Sequence, residues 1–141
     1  MYCHLLTVQY RSQDTSSAYN AVARLVADAI AGFQHNNTVR RMRAEPERKT
    51  ETFVGIAFVF ASPTFYKVSV SQELNQAVKD GTYPQEETIV EQFVPHVPRL
   101  ETFDDEGIRD VRNREYLFRC FEACRHLVVS CMITSETLST K

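Results

Sequence analysis

Phe53-Val54-Gly55-Ile56-Ala57-Phe58-Val59-Phe60-Ala61 is the stretch on which the fold turns. It carries no charged or polar side chain, and along an extended backbone its apolar groups point both ways. A strand reads like this when both faces of its sheet are covered. The run is far shorter than the roughly 20 apolar residues a helix needs to cross a bilayer, so no membrane span is expected.

Downstream, Ser62-Pro63 supplies turn residues, and from Phe65 to Ser71 the chain alternates, with Tyr66, Val68 and Val70 on one side and Lys67 and Ser69 on the other. The two runs predict an antiparallel hairpin. The Ser71 hydroxyl can cap a short helix over Gln72 to Val78, which Asp80-Gly81 would end. Thr88 to Val94 reads as a further strand, stopped by Pro95 and Pro98.

Upstream, Tyr2 to Arg11 alternates as a strand, and Ser12 to Ser17 is rich in side-chain oxygens that accept from the free N–H groups of a helix start. The helix that follows has the apolar stripe Ala18, Val22, Leu25, Val26, Ala29, Ile30 and Phe33, and Gly32 is where it should fray. Its other face holds Asn20, Arg24, Ala27, Asp28 and Ala31. Arg24 and Asp28 are spaced for an ion pair. The alanines serve either as good helix formers on a wet surface or as a contact for another subunit, which makes this face the candidate for self-association.

Gln34 to Thr50 is the most polar stretch, with Arg40, Arg41, Arg43, Arg48 and Lys49 interrupted by Glu45-Pro46-Glu47. Either it is a mobile loop, or Thr38 to Ala44 is an edge strand turning at Glu45 to Lys49; the arginines would blunt an exposed edge, and the hairpin is preferred. At the other end, Asp104-Asp105-Glu106 puts negative charge near the start of a last helix. Its stripe is Leu117, Cys120, Phe121, Cys124 and Leu127, with Glu115, Arg119 and Glu122 opposite. Ile108 and Val111 fall off that stripe, which predicts a bend or a start near Asn113. Leu127 to Thr134 alternates again and reads as a closing strand, and the polar residues after about 135 as a frayed tail.

These elements predict an α+β fold: a largely antiparallel sheet of about five or six strands, backed by two long helices and one short helix. The 141 residues, 43% hydrophobic and 24% charged, suit a single compact domain over 1–141 with a core of its own. The amino terminus lacks a basic leader followed by an apolar stretch, so a cytoplasmic setting is expected, with the nucleus reachable by diffusion.

No chemical signature stands out. There is no Gly-x-Ser-x-Gly elbow and no Gly-rich phosphate loop. Cys120, Cys124, His126 and Cys131 have zinc-ligand atoms, yet Cys120 and Cys124 share the apolar face of a helix, so reduced core thiols are expected and neither metal nor cofactor is. The arginines could grip phosphate, but the net charge is -2 and the interleaved glutamates weaken the cluster. The leading expectation is a non-enzymatic, self-associating module that binds a protein partner. The alternatives are a nucleic-acid-binding accessory protein using Arg40, Arg41, Arg43, Arg48 and Lys49, and a small-ligand enzyme with a pocket between sheet and helices.

Overall fold

The hairpin centred on Phe53 to Ala61 forms. The computed structural model describes the backbone of residues 5–10 and 15–136 and the side chains of residues 20–129. Within it, strands β2 (Thr50–Val59) and β3 (Ser62–Ser71) pair antiparallel from Thr50 opposite Ser71 to Val59 opposite Ser62. The turn is Phe60-Ala61, with Phe60 at φ 56, so Ser62 and Pro63 belong to β3 rather than to the turn. Strand β1 (Leu5–Tyr10) lies parallel along β2, and β4 (Val90–Phe93) antiparallel along the other side of β3. The sheet order is β1-β2-β3-β4.

The described sheet therefore has four strands, three of them antiparallel, and not five or six. Both surplus strands are helix. Helix α1 runs Thr15–Met42 through Gly32 and through the segment expected as an edge strand, and the last helix, α4, runs Val111–Glu136 through the expected closing strand. The short helix α2 (Gln72–Asp80) is as expected: Ser71 Oγ accepts from the Leu74 N–H, and Gly81 closes the end at φ 67. A further one-turn helix, α3 (Phe103–Glu106), holds the acidic Asp104-Asp105-Glu106, while Asp110 sits at the start of α4, its Oδ1 accepting from the Arg112 N–H at 2.9 Å. The expected helix start at Ser12 to Ser17 and the tail beyond residue 136 lie outside the described side chains and backbone, respectively.

The side chains divide the molecule into three layers. From β2 and β3, Phe53, Ala57, Tyr66, Val68 and Val70 face α1 and α2, against Ala21, Leu25, Ala29, Phe33 and Leu74. The alternate residues Val54, Ile56 and Phe65 face α4, against Cys124, Cys120, Phe121 and Val128. The first contact is close. A Cβ added at Gly32 would lie 2.9 Å from the Phe53 ring, and one added at Gly55 would lie 2.4 Å from a Leu25 methyl group. Glycine persists inside α1 because Phe53 packs there, and this close packing offsets the roughly 1 kcal/mol of helix propensity it costs relative to alanine.

Two buried asparagines tie the connecting segments to the helices. Asn37 on α1 accepts from the Arg48 N–H at 2.9 Å and donates to the Arg48 carbonyl at 3.1 Å. Asn113 on α4 does the same for Arg99, at 3.0 and 3.2 Å. Each amide replaces a ladder partner that an irregular segment lacks, so that buried backbone groups stay paired.

Candidate functional site

Helix α4 covers only part of its face of the sheet. Phe121 anchors it, stacked with Phe58 (centroids 6.1 Å apart) and edge-on to Phe65 (5.4 Å). Toward β4 the helix and the sheet diverge and enclose a groove of about 480 Å³. Its floor is Phe65 and Phe93, and its helical wall is Cys120, Cys124 and Leu127. The rim is polar and locally neutral: Lys67 pairs with Glu91 at 3.0 Å and Arg119 with Glu115 at 2.7 Å. Phe93 and Leu127 are 49% and 58% exposed, and Val94, just past β4, is 43% exposed. Leu127 thus leaves the buried stripe predicted for it, and Val128 takes the inward position. Among the described strands β4 is at the end of the sheet, so its outer edge has no strand beside it.

The thiols of this groove belong to the core. Cys124 is buried and Cys120 half-buried, and loss of water raises both thiols above their ordinary pKa, keeping them protonated and weakly nucleophilic. His126 is exposed on another face, with Nε2 3.2 Å from Glu122. Cys131 lies in α4 rather than in a strand.

The arginine cluster does not form one free basic patch. Arg40 lies 3.3 Å from Glu45, Arg41 3.2 Å from Glu47, and Arg48 4.0 Å from Glu51. Glu51 itself is 1% exposed and accepts from Asn36 Nδ2 at 3.0 and 3.1 Å. Arg43 and Lys49 are exposed. The edge strand expected over Thr38 to Ala44 is replaced by the last turn of α1 and the residues that close it.

On α1 the face expected for self-association is turned away from the sheet: Asn20, Arg24, Ala27 and Ala31 are exposed, and Arg24 meets the half-buried Asp28 at 3.5 Å. Sequence reasoning missed the groove, because its walls come from β3, β4 and α4, separate elements whose lining residues are scattered from Val54 to Leu127. No described helix is long and apolar enough to cross a membrane. The chain matches no family model, no curated protein and no solved structure.

Proposed function

We propose that this protein is a non-enzymatic interaction module that takes an extended segment of a protein partner into the groove between β4 and α4. The observation that carries this reading is the meeting of an open strand edge, Val90–Phe93, with an apolar groove that Glu91, Gln92 and Phe93 of the same strand help to line. A segment laid beside β4 gains backbone hydrogen bonds from the edge, and its alternate side chains reach the apolar floor beside Phe93 and Leu127. The neutral rim suits an uncharged, apolar segment better than an acidic or a basic one. Self-association through Asn20, Ala27 and Ala31 on α1 is compatible with it, since that face and the groove lie on opposite sides of the sheet. Nucleic acid has less support, because Arg40, Arg41 and Arg48 each face a carboxylate. Reduced, buried thiols fit a cytoplasmic or nuclear setting.

Selection from a displayed library of random peptides tests the reading. Enriched peptides should carry apolar residues at alternate positions, and they should lose binding to Phe93→Glu and Leu127→Glu variants whose melting is unchanged. An unenriched library, or peptides indifferent to both variants, overturns it. A dimer in light scattering that Phe93→Glu disperses would identify the occupant as a second copy of the chain.

A further inference from the structure

A second cavity, of about 300 Å³, lies on the opposite side of the sheet between the last turns of α1, the segment that follows it, and α2. It has the reverse character of the groove: every residue lining it is polar or charged. Five side-chain amides, Gln34, Asn37, Gln72, Asn75 and Gln76, surround it. Two of these are fixed in place by burial and hydrogen bonding: Asn37 is 6% exposed and holds the Arg48 peptide, and Asn75 is 8% exposed and accepts from Gln34 at 2.7 Å. The charged members are Arg41, Lys79 and Glu47, with Arg41 and Glu47 3.2 Å apart. Both remain open to solvent, their side chains 63% and 37% exposed, so a ligand can reach each.

We propose that this cavity binds a small polar amino acid as its zwitterion, the carboxylate on Arg41 and Lys79 and the ammonium on Glu47. A cation and an anion held side by side complement a head group that carries both charges, and Lys79 gives the carboxylate a second donor. Asn37 is engaged by the Arg48 peptide, Gln34 Nε2 donates to Asn75 Oδ1 and Gln76 Nε2 to Asp80, so a polar side chain of the ligand is met by the Gln72 amide, the Gln34 and Gln76 oxygens and the Asn75 nitrogen. No aromatic face lines the site, which removes the stacking surface that a nucleobase or sugar ring would use. The volume is at the small end of the ligand-pocket range of about 300–1,000 Å³, which suits a single amino acid and excludes a peptide.

Calorimetric titration with L-glutamine, N-acetylglutamine and glutaminamide tests the assignment, each at millimolar concentration, alongside amide NMR spectra that report Gln34, Asn75 and Gln76 directly. Glutamine should bind and shift those amide signals, and both capped forms should bind at least about tenfold more weakly, a loss of one ion-pair contact. Lys79→Ala, on an exposed position of α2, should weaken glutamine by a similar factor without lowering the melting temperature, and Glu47→Gln should erase the difference between glutamine and its N-acetyl form. Heat and shifts absent for L-glutamine, equal binding of N-acetylglutamine to the unaltered protein, or shifts confined to residues outside this cavity would each overturn the proposal.

Discussion

Leu25 fills the space that a side chain at residue 55 would occupy. Its methyl and methine carbons would lie 2.4 to 2.8 Å from a Cβ added there, and the leucine is 0% exposed, with nowhere to move. The strand glycine receives a helix side chain, and about two turns further along α1 the helix glycine, Gly32, receives Phe53. Gly55→Ala should therefore destabilise the fold by about 1–3 kcal/mol through overpacking. Leu25→Ala alone should cost about 2–5 kcal/mol, but the double variant should cost less than the sum, because the smaller residue makes room for the new methyl group. Urea unfolding of the four proteins measures this; strict additivity would show that the two residues do not compete for the same space.

The end of α1 makes a second prediction. The Glu45 N–H donates to the Arg40 carbonyl at 2.9 Å and the Ala44 N–H to the Arg41 carbonyl at 3.1 Å, with Ala44 left-handed at φ 56. At the end of α2 the same pattern recurs, Thr82 to Ala77 and Gly81 to Val78, but with glycine in the left-handed position. Left-handed backbone costs a residue with a Cβ roughly 1–2 kcal/mol. Ala44→Gly should stabilise the protein by up to about 1 kcal/mol, the greater freedom of glycine in the unfolded chain offsetting part of the gain. An unchanged or lower urea midpoint would contradict it.

These two helix ends explain what could be read from the sequence and what could not. Ser71 and Gly81 mark both ends of α2 in residue type alone, and that helix is as predicted. Alanine at residue 44 carries no stop signal, whereas Gly32, which resembles one, is a packing notch. The arginines around Val39 and Met42 then imitate an edge strand. Leu127 to Thr134 is rich in β-branched and apolar residues and alternates, yet no proline or glycine follows Gly107, so nothing interrupts the helix already running. The β2–β3 hairpin and the buried thiols were legible because local pattern decides them. The groove and the polar cavity are made by distant elements meeting, which no local pattern records.

Asn113 is 0% exposed, and its amide is the partner of both the N–H and the carbonyl of Arg99. Asn113→Ala should cost about 1–3 kcal/mol, since it leaves buried polar groups unpaired. Amide hydrogen exchange at Arg99 checks the cause as well as the size: protection there should fall more than in β2. Loss spread evenly over the molecule would point to general loosening instead.

For the groove thiols the pH dependence has a definite sign. Burial raises the folded-state pKa of Cys120 and Cys124, so the unfolded chain gives up its thiol protons first. Their contribution to stability is intact below the unfolded value of about 8.5 and is lost as pH rises through the raised folded values. Stability measured from pH 7 to pH 10 should fall more for the native chain than for a Cys120→Ala, Cys124→Ala double variant. Parallel curves would show that neither thiol is protected by the fold.

The order of the strands in the sheet, β1-β2-β3-β4, is the order in which the chain is made. Each strand therefore adds to the rim left by its predecessor, and none has to be threaded between two already paired. The β2–β3 ribbon, closed by a two-residue turn, can assemble with little loss of chain entropy, while the parallel pairing of β1 must wait until α1 has spanned the gap. During synthesis the sheet can be built from its amino-terminal side outward, and the rim of β4, the last of the described strands to emerge, has no later described strand to cover it.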